Sequence, residues 1–285
     1  MPPASSVSVR SNVSATRPDF PPSSSHPAIF AIANQKGGVG KTTTAVNLAT
    51  ALAANGESVL LLDLDPQGNA STGLGIDRGD RGAGTYALLL DNIPLADVQR
   101  PSGIPNLTIV PADQDLAGAE IELATSDRRE FRLADALRGL ADYSYVLIDC
   151  PPSLGLLTLN CLVAANAVLV PLQCEFFALE GISQLIRTIE RVKQALNPRL
   201  RLQGIVLTMY DRRNNLSDLV AADARSFFGP TVYDTMIPRN IRISESPSHG
   251  KPVLLYDYKS PGAQAYVRLA QEVLHRERGT QRSEA

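Results

Sequence analysis

The chain has 285 residues, of which 44% are hydrophobic and 20% are charged, and its formal net charge is −2 at pH 7. It is long enough to bury one sizeable α/β core, and its charge excludes a protein that is polybasic throughout, so any contact with nucleic acid must be a local patch. Residues 1–27 are rich in Ser and Pro and contain no signal-peptide core, which predicts a disordered N-terminal extension. We expect one folded domain over 28–277 and a flexible tail over 278–285.

The first predicted elements are a strand, a glycine-rich loop and a helix. An apolar run of strand length covers 28–33, and a helix is predicted over 42–54. This order is the context in which a P-loop holds nucleotide phosphates. Glycine lacks a Cβ, so the backbone can turn successive N–H groups toward phosphate oxygens, next to the positive end of the helix dipole. The residues predicted to bind the nucleotide are Gln35, Lys36, Gly37, Gly38, Val39, Gly40, Lys41, Thr42 and Thr43.

Within this loop the charged and hydroxyl side chains have separate predicted roles. Lys41 supplies a full positive charge to the phosphates, and the hydroxyl of Thr42 is placed to bind Mg²⁺. The common pattern G-x-x-x-x-G-K-[ST] has glycine where this chain has Gln35, and it prescribes no lysine at the position of Lys36, five residues before Lys41. Lys36 is expected at the tip of the loop as an unpaired cation, where it would suit a phosphate presented by a facing subunit.

Two further predicted strands end in carboxylates. The strand over 58–63 runs into Asp65, and the strand over 145–149 ends at Asp149. Polar residues just beyond the carboxyl ends of strands lie where ligands bind in open α/β sheets, so Asp65 is expected near the γ-phosphate. An apolar strand that ends in a carboxylate, as at Asp149, is weak evidence by itself. An Asx turn before Pro66 is the alternative for Asp65.

Strand and helix patterns alternate through the rest of the chain. Strands are predicted at 107–110, 167–172, 202–209 and 231–237, and helices near 128–140, 179–196, 216–228 and 261–276. The apolar stretch 154–172 divides into a helix and a strand, which argues against a membrane span. Strands separated by helices predict an α/β fold with a doubly wound, mostly parallel sheet flanked by helices, of the P-loop NTPase type.

The three cysteines, Cys150, Cys161 and Cys174, have no C-x-x-C spacing and lie in apolar elements or at their ends. They are expected to be reduced thiols that pack in the core. A bridged iron–sulfur cluster is the alternative that the spacing leaves open.

Basic residues outnumber acidic ones between Arg187 and Lys259, in contrast to the whole chain. Arg213, Arg239 and Arg242 are expected in loops after strands, where a side chain can meet a partner instead of pairing along a helix. The same loops are expected to flank the adenine of a nucleotide, and the proposed contacts on the base side are Met209, Pro238 and Asn240.

The motif KGGVGKTT resembles the deviant Walker A box of the ParA/MinD group of ATPases, whose members close as a nucleotide-sandwich dimer. The resemblance extends through DLDPQGN, VLIDCPPS and IPRNIRISESPSHGKP and covers roughly residues 28–277. It implies ATP and Mg²⁺ as cofactors and a catalytic role for Lys36 across the dimer interface. It also implies that Asp65 positions the attacking water or acts as a general base, and that Asp149 ends a Walker B strand and holds Mg²⁺ through water.

The resemblance is strongest to the short, chromosome-type ParA (Soj-like) partition ATPases. These form a homodimer with ATP, bind nucleoid DNA without sequence preference and release it when a ParB-like centromere-binding protein stimulates hydrolysis. In the DNA-binding members, arginines that match Arg213 and Arg242 contact backbone phosphates, and Arg239 and Lys259 are further candidates. The implied location is cytoplasmic and nucleoid-associated, without a membrane partner.

Two other functions remain as alternatives. A MinD-like ATPase that positions the division machinery would end in a basic amphipathic helix able to lie in a lipid interface. The last predicted helix has only a modest apolar face and is expected to dock on the sheet. The second alternative is an orphan ParA-like ATPase that positions a protein cluster along the nucleoid.

Overall fold

The computed structural model describes residues 26–175 and 178–284, so the predicted N-terminal extension lies, except for its last two residues, outside the described residues. The strands are β1 (Ala28–Ile32), β2 (Val59–Asp63), β3 (Arg100–Pro101), β4 (Leu107–Val110), β5 (Tyr145–Asp149), β6 (Ala167–Gln173) and β7 (Arg201–Thr208). The helices of the first half are α1 (Lys41–Ala54), α2 (Asn69–Gly73), α3 (Thr85–Leu89), α4 (Leu95–Val98), α5 (Ala119–Thr125) and α6 (Arg132–Ala136). Those of the second half are α7 (Leu156–Ala164), α8 (Ala178–Ala195), α9 (Asn215–Phe228), α10 (Ile241–Glu245), α11 (Val253–Tyr256) and α12 (Pro261–Glu284).

The strands form one sheet in the order β3-β4-β2-β5-β1-β6-β7. Every neighbouring pair is parallel except β3 with β4, so the predicted doubly wound α/β fold is confirmed. The register aligns Asp149 at the end of β5 with Ile32 of β1 and with Asp63 of β2. The carboxyl ends of the three central strands therefore meet at one edge of the sheet, where open α/β sheets bind ligands.

Both faces of the sheet are covered, which explains why the strands are continuous apolar runs. Every residue of β2 and of β5 is buried. Because side chains alternate along a strand, Leu60 and Leu62 pack into one core cluster, which includes α7 and α8, whereas Leu61 packs into the other, with α1 and α12.

The predicted strand over 231–237 is wrong. Residues 229–231 form a 3₁₀ turn, and beyond it Val232 makes an isolated bridge to Ile205. The backbone N–H groups of Asp234 and Thr235 donate to the carboxylate of Glu272 on α12, at 2.9 Å and 3.0 Å, instead of to a neighbouring strand. A helical side chain thus satisfies the donors that a strand would have used.

Two predicted helices also differ in length. The helix expected over 128–140 is only α6, because Arg128 takes a left-handed conformation with φ of 52° before it and Gly139 takes φ of 77° after it. The last helix continues past the predicted end at Arg276 to Glu284.

Helix α12 docks on the sheet through α1, as expected. Its apolar face, formed by Tyr266, Leu269, Val273 and Leu274, is buried in the same cluster as Leu48 of α1. The hydroxyl of Tyr266 lies 3.3 Å from Oγ1 of Thr44. Among the described residues, no helix is long and apolar enough to cross a bilayer.

We predict that Leu269→Ala lowers the free energy of unfolding by about 2–5 kcal/mol, because it removes a fully buried side chain and leaves a cavity between α12 and α1. Urea denaturation followed by circular dichroism measures this. The control is Leu255→Ala, since Leu255 is 57% exposed and its loss is expected to change the free energy by no more than about 0.5 kcal/mol. Equal effects of the two substitutions would contradict the docking of α12.

Candidate functional site

The glycine-rich loop lies between β1 and α1 at the carboxyl edge of the sheet. Gly38 and Gly40 have φ of 74° and 88°, a conformation that disfavours any other residue. Gly40 precedes α1 without a side-chain cap, so the first-turn N–H groups of the helix face the loop. A Cβ at Gly37 or Gly38 would touch nothing within 4 Å, so open space borders the loop.

The predicted P-loop lysine is at the centre of this arrangement. Lys41 is 7% exposed, and its Nζ donates to the backbone oxygen of Lys36 at 3.1 Å, so the loop closes around it. Burial lowers the pKa of Lys41, while the nearby carboxylates of Asp149 and Asp65 act in the opposite direction. A buried ammonium with these neighbours is suited to a polyanionic ligand.

Two buried carboxylates lie opposite the loop. Asp63 and Asp149 are fully buried in register on neighbouring strands. Ser71 satisfies Asp63 through its N–H at 2.8 Å and its hydroxyl at 2.7 Å. Burial raises the pKa of Asp63 to about 6, although these two hydrogen bonds lower it. Burial is the largest cause that raises the pKa of Asp149 well above its usual range, and the negative charge of Asp63 raises it further. Thr42 and Lys41 lower this pKa and so act in the opposite direction.

The residues fit a nucleotide with a divalent cation. The two side-chain oxygens of Asp149 and the side-chain nitrogen of Gln35 are buried. Within the described part of the chain, none of these three atoms has a hydrogen bond of normal geometry. Buried polar groups are rarely left in this state without a ligand or ion. The described residues contain no group of three or more His, Cys, Asp or Glu side chains that could hold a metal alone. A cation here would therefore be held by the Thr42 hydroxyl, by phosphate and by water, with Asp149 acting through water.

Asp65 lies on a tight turn immediately after β2. It is 8% exposed, its backbone oxygen accepts from the N–H of Gly68 at 2.8 Å, and its Oδ1 accepts from the N–H of Gln67 at 3.0 Å. The Asx turn considered from the sequence is therefore present. It does not remove Asp65 from the site, because the charge of Asp65 acts on Lys41.

Lys36 is not the unpaired cation that the sequence suggested. It lies on the exposed tip of the loop, and its Nζ is 2.6 Å from Oε2 of Glu175, just beyond β6. Gln173 donates to the other carboxylate oxygen of Glu175. The pair is about half exposed, with 42% and 44% of the two side chains accessible. The two lysines of the loop thus have opposite surroundings.

The three residues proposed for the base side of the nucleotide lie on two hydrogen-bonded segments. Thr208, at the end of β7, donates through its hydroxyl to the backbone oxygen of Val39 at 2.8 Å, which places Met209 beside the phosphate loop. Tyr210 then forms a bridge with Pro238. Asn240 caps α10 by accepting from the N–H of Arg242 at 3.0 Å.

The proposed DNA-contacting residues lie on the same two segments and on the loop before α12. The N–H of Arg239 donates to the backbone oxygen of Tyr210 at 2.9 Å, which joins the two segments. Arg242 was expected in a loop, but it lies in the first turn of α10, where it pairs with Glu245 at 3.0 Å and with Asp257 at 3.4 Å. Arg213 pairs with Asp211 at 2.8 Å and is 88% exposed. Lys259 is also exposed.

The three cysteines are free and buried, as expected for packing thiols. Burial raises the pKa of Cys150 well above its usual value and that of Cys174 to about 11.

Several residues of the site were not found from the sequence. Glu175 is far from Lys36 along the chain, and the structure alone reveals the pair. Ser71 and Arg81 received no prediction from the sequence, although α2 places Ser71 on Asp63. The polar side chains that follow DLDPQGN were the available signal.

The comparisons with known proteins agree with this geometry. A family model described as an AAA domain matches residues 27–202. The chromosome partitioning protein ParA of Caulobacter vibrioides (strain NA1000 / CB15N) is 62% identical over 256 residues, which cover 89% of this chain and 96% of that protein. The chromosome-partitioning ATPase Soj of Thermus thermophilus is 52% identical over 247 residues, which cover 87% and 95%.

The chain belongs to the ParA/Soj family of chromosome-partitioning ATPases. A solved structure named cobyrinic acid a,c-diamide synthase, from Mycobacterium smegmatis with bound ATP analogue and magnesium, has the same fold. It is 40% identical, with a TM-score of 0.78 over 88% of this chain and 96% of that one. These relatives confirm the resemblance to ParA/Soj ATPases that the motif KGGVGKTT indicated. The chain is therefore a P-loop ATPase.

We predict that Asp63 makes the free energy of unfolding of the ligand-free protein depend on pH. The pKa of Asp63 is about 6 in the folded protein and 3.8 when unperturbed, so the folded state holds this proton more tightly. The contribution of Asp63 to the free energy of unfolding therefore falls as pH rises from about 4 to about 6, and then stays constant. Asp63→Asn removes it, so the difference in melting temperature between the variant and the wild type should change across that window. A constant difference would contradict the raised pKa.

Proposed function

We propose that this protein is a partition ATPase that dimerises with ATP, binds nucleoid DNA without sequence preference and releases it when a ParB-like protein stimulates hydrolysis. The observation that carries the proposal is the separation of two lysines on one phosphate loop. Lys41 is buried toward the carboxylates, whereas Lys36 lies outside and is held by a half-exposed ion pair. One lysine serves the nucleotide of its own chain, and the other is available to a facing subunit.

ATP binds with Mg²⁺ through residues 35–43 in this proposal. The backbone N–H groups and Lys41 would hold the phosphates, and the Thr42 hydroxyl and, through water, Asp149 would hold the cation. When bound, Mg²⁺ neutralises phosphate charge and orients the γ-phosphate. The unpartnered oxygens of Asp149 and the uncapped end of α1 support this assignment.

Asp65 is assigned to positioning the attacking water. Its turn holds it at the carboxyl edge of the sheet, close enough for its charge to act on Lys41. Hydrolysis removes the phosphate shared by two subunits, so the dimer opens.

Closure of the dimer requires Lys36 to leave Glu175. Exposed ion pairs contribute about 0.2–1 kcal/mol each, so this cost is small beside the attraction of a γ-phosphate. Glu175 would then set how readily the closed dimer forms.

The basic segments after β7 are assigned to DNA. Arg213 and Arg242 are paired with acidic neighbours, but these pairs are exposed and a phosphate can replace the carboxylate at little cost. Arg239 and Lys259 extend the same surface. A dimer presents two such surfaces, so its affinity for DNA depends on nucleotide through bivalency.

The two alternative functions, a MinD-like role and the positioning of a protein cluster, differ from the proposed one in the surface or the partner that they require. A MinD-like role needs an apolar helical face for lipid, and the apolar face of α12 is buried against α1. A role in positioning a protein cluster along the nucleoid uses the same ATP and DNA chemistry, and it differs in the stimulating partner. The proposed location is the cytoplasm, on the nucleoid.

We predict separate losses for the two lysines. Lys41→Ala should abolish nucleotide binding, because it removes the buried charge at the phosphates. Lys36→Ala should leave ADP affinity within about two-fold and abolish dimerisation with ATP, while Glu175→Gln should tighten dimerisation by about two- to thirty-fold, from two exposed pairs per dimer. Calorimetric ADP titration and light scattering measure these effects. Equal losses of ADP affinity in both lysine variants would refute the division of roles.

We predict that Arg242→Glu, or Arg213→Glu, abolishes binding to non-specific duplex DNA and leaves ATP-dependent dimerisation unchanged. With about four to six phosphate contacts per dimer, log K should fall with log salt at a slope of roughly −4 to −5. The control is Arg138→Glu, since Arg138 is also exposed and pairs with an acid three residues away. Wild-type DNA affinity of Arg242→Glu in ATP would eliminate this surface as the DNA site.

A further inference from the structure

Arg81 is a buried arginine whose described partners are neutral oxygens. It is 3% exposed, and its guanidinium donates to the backbone oxygen of Gly68 at 2.8 Å, to Oγ1 of Thr72 at 2.9 Å and to the backbone oxygen of Ala112 at 3.2 Å. Its Nε has no partner among the described residues. Burial lowers the pKa of Arg81, with the charge of Asp63 acting in the opposite direction. A buried cation is costly to keep, so its position calls for an explanation.

The oxygen that Arg81 binds most closely ends the turn of Asp65. The N–H of Gly68 closes that turn on the backbone oxygen of Asp65, and its carbonyl group receives Arg81 from the other side. The hydroxyl of Thr72 also donates to this carbonyl oxygen, at 3.2 Å. The guanidinium therefore fixes the end of the turn to α2.

The approach of Arg81 to this turn leaves room only for glycine. A Cβ at Gly68 would overlap the Nη1 atom of Arg81, and Gly68 has φ of 64°. Glycine is required here both by the backbone conformation and by the contact. Any side chain at position 68 would displace the guanidinium.

The segment that carries Arg81 is itself anchored to the sheet. The carboxylate of Asp113 accepts from the N–H groups of Gly84, Tyr86 and Ala87 at 2.9–3.2 Å. On the other side, Arg100 donates to the backbone oxygen of Asp80 at 2.6 Å. Arg81 thus extends from a fixed segment and joins the turn after β2 to the loop after β4.

We propose that Arg81 is a positioning residue for ATP hydrolysis, which holds the Asp65 turn in place while the γ-phosphate is attacked. This rests on the proposed role of Asp65. The guanidinium is long and planar enough to bond three backbone and side-chain oxygens at once, which lysine cannot reproduce. It acts on Asp65 through the carbonyl group of Gly68.

The test compares ATP turnover and nucleotide affinity in Arg81→Met. A turn displaced by about 1 Å costs on the order of 100-fold in rate, so kcat should fall by about 10- to 100-fold while ADP affinity stays within about two-fold. Arg81→Lys should recover only a small part of kcat. Arg78→Met is the control, because Arg78 is exposed on the adjacent 3₁₀ turn, and its kcat should equal that of the wild type.

A double variant separates positioning from general destabilisation. In an Asp65→Asn background, Arg81→Met should cause no further loss of residual hydrolysis, because residues that act as a unit are not additive. If Arg81→Met does not fold, Thr72→Val takes its place, since it removes one partner of the guanidinium and keeps the shape of the side chain. A smaller loss of kcat at unchanged melting temperature supports the proposal.

Two results would overturn these assignments separately. If folded Arg81→Met or Thr72→Val keeps wild-type kcat while Asp65→Asn has lost hydrolysis, Arg81 has no positioning role and the function proposed for Asp65 stands. If Asp65→Asn hydrolyses ATP at the wild-type rate, the proposed role of Asp65 fails, and the proposal for Arg81 fails with it.

Discussion

The site depends on two carboxylates, Asp63 and Asp149, held side by side at the ends of parallel strands in a fully buried sheet. The fold cannot separate them, because the register of β2 with β5 fixes their spacing. Ser71 donates to one carboxylate, and the oxygens of the other have no hydrogen bond of normal geometry within the described chain. Burial raises both pKa values, and the charge of Asp63 raises that of Asp149 further. The site thus disfavours the charged form of both groups, a cost that a divalent cation would relieve.

The rest of the carboxyl edge is organised around that pair. The glycines bring backbone N–H groups and Lys41 to the opposite side, and Arg81 fixes the turn that carries Asp65. The hydroxyl of Thr208 joins β7 to the phosphate loop, and Tyr210 joins the same stretch to Arg239. The proposed DNA surface therefore begins beside the phosphate loop, as the proposed dependence of DNA affinity on nucleotide requires.

Local patterns were enough to predict that the phosphate loop, Asp65 and Asp149 lie at the carboxyl edge of the sheet, because each lies at or just after the end of a strand. The central strands were predicted to within about one residue for the same reason, since burial on both faces leaves continuous apolar runs. The pair of Lys36 with Glu175 and the contacts of Arg81 join segments distant in sequence, and no local pattern contains them. The segment 231–237 has the composition of a strand, and Tyr233 and Ile237 donate to β7. Between them, Glu272 of α12 accepts from the N–H groups of Asp234 and Thr235, so tertiary contact overrides propensity there.

The most direct test of this account is the thermal stability of Asp149→Asn with and without Mg²⁺ and ADP at pH 8. If Asp149 is a carboxylate kept in an unfavourable state for a cation, the ligand-free variant melts at the same temperature as the wild type or higher. The variant should then gain much less than the wild type when Mg²⁺ is added to the ADP complex. A ligand-free variant that melts lower, with the full stabilisation by Mg²⁺ retained, would contradict the account.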